Sequence, residues 1–318
     1  MTTRRALLAA LLATALPLPG AAQTFPEKPV TLVVGFSAGG GTDTYARALA
    51  AAMADPLGVP VLVVNQEGAA GMIAAQAVAG AEPDGYTLYM ASAGSLMVKA
   101  MYDGEDAAVQ PLEDLEIIGQ VGASITGLLV PADSPFQSAA DLVAAAEADP
   151  EALRWSHPGR GSLFQLSGVA FLQENGIAVQ DVPFQGGGPA RNAVAAGQVD
   201  FGFMGVQLKN GFEEQVRALG VAGDERDTAN PDVPTFAEQG LPEINLTNPQ
   251  VVMAPPGLPE DVTATLVEAV EAAATAQGYG ETLGNAGLST GYRDPEAARA
   301  RLEELQGSLQ PLVDETRG

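Results

Sequence analysis

The chain has 318 residues, 47% of them hydrophobic and 5% aromatic, with a formal net charge of −24 and no cysteine. That length and apolar content suit one large or two medium domains with a core mainly of Ala, Val and Leu, and they exclude a disordered chain. The charge disfavours nucleic acid and anionic membranes as partners, and the lack of cysteine excludes disulfides, thiolate metal sites and cysteine nucleophiles.

The sequence opens MTTRRALLAALLATALPLPGAAQ. A basic start at Arg4 and Arg5, an apolar run from Ala6 to Leu18 and small residues at Gly20, Ala21 and Ala22 predict a secretory signal peptide over 1–22. The run is too short to span a bilayer. The mature chain is then expected to begin near Gln23, and losing Arg4 and Arg5 takes its charge from −24 to −26. TRRALL has the arginine pair of a twin-arginine signal without the fuller pattern, so both the general and the twin-arginine export routes stay open.

Strand-like and helix-like patterns then alternate. VTLVVGF (30–36) precedes a helix over about 42–54, and VPVLVVN (59–65) precedes one over about 71–79. YTLYMAS (86–92), LEIIGQVG (115–122) and TGLLVPA (126–132) read as strands. A helix follows over 138–150, with Ser138 and Asp141 spaced as a capping box. ALRWSH (152–157) leads into a helix over 162–176, and AVQDVPF (178–184) into another over 186–198. VDFGFMG (199–205) and VRALGVAG (216–223) read as strands, and two long helices cover 260–276 and 295–316. The alternation predicts an α/β protein with mainly parallel sheets. Irregular stretches near 119–127 and 236–250 read as crossovers between two lobes. The expected division is 24–121 with 241–318 as a discontinuous first lobe, and 122–240 as the second, with a cleft between.

Three glycine-rich turns share one context: SAGGGTD (37–43), HPGRGS (157–162) and FQGGGPA (184–190). Each follows a strand and precedes a helix. Such a turn lets a ligand approach the backbone closely, and the helix beyond it offers free N–H groups and partial positive charge. Three turns facing one cleft would bind an anion without many cationic side chains, since the surface charge is screened over ~8 Å. A nucleotide phosphate is a poor fit. Gly35 and Gly40 have P-loop spacing, but Gly41 stands where that motif needs Lys. Thr44 stands where the third glycine of a dinucleotide fingerprint would fall.

Enzyme readings are weak. His157 is the one histidine, and no G-x-S-x-G elbow surrounds a serine that it could activate. The count excludes His-rich metal sites, and no D-x-D-x-D-G loop is present. Trp155, in a strand, is expected in the core, and the methionines as core or cleft filler.

FPEKPVTLVVGFSAGGGTDTYARALA and the following VPVLVVNQEGAAGMIAAQAVAGAEPDGYTLYMASAGS resemble the first lobe of the Bug family, the periplasmic substrate-binding proteins of tripartite tricarboxylate transporters. VPFQGGGPARNAVAAGQVDFGF and PDVPTFAEQGLP resemble motifs of its second lobe. The resemblance covers nearly all of the mature chain. It implies a two-lobed periplasmic-binding-protein (Venus-flytrap) fold and a periplasmic location. It also implies capture of a small carboxylate for inner-membrane permease subunits, with no catalysis, cofactor or metal; a monomer is expected.

Carried onto this sequence, the first ligand loop is Phe36 to Asp43, including Ala38, Gly39, Gly40, Gly41 and the Thr42 hydroxyl, with Asp43 ordering the helix start. Asn65 and the GAAG turn (68–71) resemble a second motif, with Gln66 where an Arg is usual. Ala91 to Ser95 resembles a small-residue loop with Ser92 and Ser95 as donors. His157, Gly159, Arg160, Gly161 and Ser162, with Phe184, Gly186 and Gly187, would close from the second lobe. Met204 stands where an aspartate is common. His157, Pro158, Arg160, Phe164, Gln165, Asn248 and Pro249 also depart from the family pattern. These departures leave the ligand's identity open rather than the binding role. A ligand-sensing protein for a signalling receptor, or a periplasmic hydrolase or lyase, is the alternative.

Overall fold

The computed structural model describes residues 25–184 and 186–316; the signal peptide expected over 1–22 and the start near Gln23 lie outside the described residues. Two sheets organise the chain. The first holds six strands in the order β11-β4-β10-β3-β1-β2: β1 (Val30–Val34), β2 (Val61–Asn65), β3 (Thr87–Ser92), β4 (Glu116–Ser124), β10 (Asn248–Ala254) and β11 (Ser289–Arg293). The second holds five in the order β7-β6-β8-β5-β9: β5 (Thr126–Pro131), β6 (Arg154–His157), β7 (Gln180–Pro183), β8 (Phe201–Gly205) and β9 (Val216–Val221). The fold is the expected two-lobed α/β architecture.

The sheets are mixed rather than mainly parallel. β1 pairs in parallel with β2 and β3, and β6 with β7 and β8. β10 runs antiparallel to β3 and β4, and β5 antiparallel to β8 and β9. The physical reason is the crossing of the chain between lobes. A strand that arrives from the other lobe does not enter through a right-handed βαβ crossover, so nothing forces it parallel.

The helices are α1 (Gly41–Leu57), α2 (Met72–Ala79), α3 (Ala93–Asp103), α4 (Ala139–Ala148), α5 (Leu163–Glu174), α6 (Gly187–Ala195), α7 (Glu260–Ala274), α8 (Gln277–Asn285) and α9 (Pro295–Thr316). Both faces of each sheet are covered. Val30, Leu32 and Val34 point to the α1/α7/α8 side, whereas Val33 points to the α2/α3 side, as the two-residue period of a strand requires. In the second lobe Trp155, Phe171, Phe203 and Phe236 fill the larger core. The Ser138–Asp141 capping box forms as expected at the start of α4.

α9 ties the halves together. Its Ala298 and Leu302 pack in the first lobe, and its Leu305, Leu309 and Val313 pack into the second lobe's main core. Val98 of α3 joins that same core.

Candidate ligand-binding site

The parallel strands end on the same side of each sheet, so each helix that follows starts there with its first N–H groups pointing outward. Four such starts, of α1, α3, α5 and α6, surround a cavity of about 520 Å³ between the lobes. The first lobe contributes Phe36, Ser37, Gly39, Gly40, Gly41 and Thr42 from the turn after β1. It also contributes Ala70, Ser92, Ser95, Asn248 and, at the crossover, Ser124. The second lobe contributes residues 158–162 with Phe164, residues 186–188, and Gly205, Gln207 and Leu208.

Local bonding decides which donors are free. At α1, Gly39 N–H is taken by Asp43 Oδ2 at 2.8 Å, and Gly40 N–H turns back to Ser37 O at 3.4 Å. The N–H groups of Gly41 and Thr42 meet no acceptor among the described residues. Those of Gly187 and Gly188 at α6 likewise meet none. At α5 the donors are partly spent: Ser162 Oγ accepts from Gln165 N–H at 3.2 Å, and Gln165 Oε1 accepts from Gly161 N–H at 2.6 Å.

Asn248 organises the α3 start. Its Oδ1 accepts from Gly94 N–H at 3.1 Å, and its Nδ2 donates to Ser92 Oγ at 2.9 Å and Ser95 Oγ at 3.3 Å. Both hydroxyl oxygens act there as acceptors, so both O–H groups remain to donate into the cavity. Asn248 is 2% exposed.

Of the residues expected from the sequence, Phe36, Gly39, Gly40, Gly41, Thr42, Ser92, Ser95, Gly159, Arg160, Gly161, Ser162, Gly186 and Gly187 line the cavity. Five do not. Ala38 is at the exposed tip of its turn, on the outer side next to α1 and α8. Asp43 is buried beneath the turn; it holds Gly39 N–H, pairs with Arg47 Nε at 2.8 Å, and accepts from Asn65 Nδ2 at 2.8 Å. Burial pulls its carboxyl up, but Arg47 and the bonds from Gly39 and Asn65 outweigh that and hold it below the usual carboxylate range. The stabilisation it gives is therefore complete at neutral pH and is lost only as acid takes the pH through that lowered value. His157 is fully buried behind the cavity wall. Phe184 packs with Ala190, Val194 and Met204. Met204 itself points to the α6 side of β8, and its neighbour Gly205 takes the cavity position.

Arg160 is the one charged residue among those described that line the cavity. It is not free: its Nη1 lies 3.0 Å from Asp181 Oδ2, and its side chain is 65% exposed. Of the lining residues not singled out from the sequence, Ser37, Ala70 and Gly188 lie in turns that were, whereas Ser124, Gly205, Gln207 and Leu208 lie outside them. Ala70 and its neighbour Ala69 hold left-handed backbone angles, φ 54° and 48°, a strained choice for residues with a Cβ. The GAAG pattern gives some warning of that turn, whereas nothing local marks Gln207.

A lining of uncharged donors at helix starts, with one arginine at the rim, suits a small anion. The sequence matches the tripartite tricarboxylate transporter family receptor over residues 45–309. The chain belongs to this family of receptors. It is 31% identical to Protein BugT of Bordetella pertussis over 310 residues, covering 96% of this chain and 95% of that one. Among solved structures it is similar to MatC from Rhodopseudomonas palustris with bound malate, with 31% identity, a TM-score of 0.77 and coverage of 91% and 100% of the two chains. An R. palustris protein with adipate superposes with a TM-score of 0.82 at 27% identity, covering 91% of this chain and 97% of that one. Receptors of this family are periplasmic solute-binding proteins, not enzymes.

Proposed function

We propose that this receptor captures a small di- or tricarboxylate between its lobes and delivers it to the membrane permease subunits of a tripartite tricarboxylate transporter. The observation that carries the reading is the set of unpaired N–H groups at the starts of α1 and α6, on opposite walls of one cavity. Gly41 and Thr42 would hold one carboxylate, helped by the Ser92 and Ser95 hydroxyls; Gly187, Gly188 and Arg160 would meet the other. Malate and adipate, present in two similar structures, are both dicarboxylates and support this class. The two ligand-holding bodies are taken as 24–121 with 241–318 and 122–240. β4 of the first sheet runs on to Ser124 and β5 of the second begins at Thr126, so the sheets change over at Ile125, a few residues beyond that boundary. Export by the segment 1–22 is part of the same reading.

Mass spectrometry of ligand released from purified protein tests the class, followed by calorimetry with mono-, di- and tricarboxylates. Recovery of an uncharged ligand, or no binding across the panel, would sink it. Arg160 gives a sharper test. Its guanidinium is shared with Asp181, so Arg160→Ala is expected to weaken a dicarboxylate roughly 5- to 10-fold, near the lower end for a charge-assisted contact. A monocarboxylate of matched length should change much less. Equal small losses for both would make Arg160 a rim residue without a role in selection.

A further inference from the structure

The 158–162 turn in the second lobe's wall contains two glycines in left-handed backbone, Gly159 at φ 146° and Gly161 at φ 73°. Such a turn has many alternatives, and something must select the one seen. Gly159 is held at both ends. Its carbonyl accepts from Ser162 N–H at 3.2 Å and from Ser162 Oγ at 2.8 Å, and its N–H donates to His157 Nδ1 at 3.2 Å. The other imidazole nitrogen, Nε2, lies 3.0 Å from Asp181 Oδ2, and that same oxygen lies 3.0 Å from Arg160 Nη1. The ring is fully buried, with the Trp155 indole 5.1 Å away centroid to centroid. An Nδ1 that accepts an N–H carries no proton, so Nε2 carries it and donates to Asp181. One imidazole thus connects Gly159 and Arg160, two neighbouring residues of the cavity wall, without reaching the cavity itself.

We propose that His157 is a positioning residue for ligand capture: its neutral, Nε2-protonated imidazole fixes the Gly159 peptide and, through Asp181, the Arg160 guanidinium in the wall that faces the ligand. The consequence for affinity rests on the reading of the cavity as a carboxylate site; the geometry of the turn does not.

The chain has a single histidine, so ¹⁵N–¹H two-bond spectra of the labelled protein report this ring alone. The expected pattern at neutral pH is a protonated Nε2 and a bare Nδ1; a proton on Nδ1 would overturn the proposal without any variant. Two substitutions then separate the ring's two bonds. His157→Asn keeps an acceptor near the Nδ1 position and drops Asp181, whereas His157→Gln reaches toward Asp181 and withdraws the acceptor. Exchange of the Gly159 amide is expected to stay slow in His157→Asn and to rise roughly 5- to 10-fold in His157→Gln. With malate and adipate as probes, both variants should lose affinity, about 5-fold in His157→Gln and less in His157→Asn, which keeps the Gly159 bond and gives up only the arm through Asp181 to Arg160. Equal exchange and equal affinity in the two variants would overturn the role. If neither probe binds the wild type, the ring spectrum and the amide exchange still decide the inference, and the carboxylate reading is decided by the wider panel of mono-, di- and tricarboxylates.

Discussion

Gly41→Pro is expected to leave the fold intact and to weaken carboxylate binding roughly 10- to 100-fold. Gly41 is the first residue of α1, where a proline is well tolerated because the N–H it lacks has no intrahelical partner. The residue before a proline must be extended, and Gly40 already is, at φ −79° and ψ 170°. A Cβ at position 41 meets only ordinary contacts, Gln207 Nε2 at 3.6 Å and Leu288 Cδ2 at 3.9 Å. Replacing glycine also reduces the freedom of the unfolded chain, so the melting temperature should hold or rise slightly. What disappears is one N–H aimed into the cavity, where it would make a hydrogen bond to a charged oxygen worth about 1.5–3 kcal/mol. Thermal melting and calorimetry on the same preparation check both halves. A folded variant with wild-type affinity would move the carboxylate away from the start of α1.

The prominence of that loop in the sequence, and the obscurity of others, has a physical origin. Turns whose glycines lie between a strand and a helix carry their signal locally, and the three read from the sequence all reach the cavity. β10 carries no such signal. It lies in the centre of the first sheet and is buried at every position, so it lacks alternation, and it contains Pro249, which argues against a central strand. The strand tolerates Pro249 because it sits next to the irregularity between Gln250 and Val251. α3 was hidden for a related reason: Ala93, Gly94 and Ser95 look like a loop by composition, yet they form the first turn of a helix. Which face Met204 takes, and whether His157 points inward or toward ligand, depend on strand register against neighbours far along the chain. A single strand's composition holds no record of that. Asp43 shows the opposite case: its role beneath the turn follows from its acidic character alone, since an uncompensated carboxylate would repel an anionic ligand.

Trp155→Ala is expected to destabilise the receptor by about 3–5 kcal/mol and to lower its melting temperature by roughly 10 °C. The indole is 1% exposed. It packs edge-on against Phe203 at 5.6 Å and nearly parallel to Phe201 at 6.5 Å between centroids. α5 presses onto it so closely that a Cβ added at Gly168 would lie 2.6 Å from Trp155 Cζ3. Truncation in such close packing leaves a void as well as the lost burial. It also strips Val179 O of the indole N–H that donates to it at 3.1 Å. The effect should extend to binding, because β6 carries both Trp155 and His157, and α5 begins at the cavity. Without the indole, the ring that anchors Gly159 loses the surface it leans on. Ligand affinity measured well below the new melting temperature is therefore expected to fall along with stability. A variant that melts within a degree or two of the wild type would show that the second lobe's core does not depend on the indole. One that melts low but binds with full affinity would show that the 157–162 turn keeps its shape without that support.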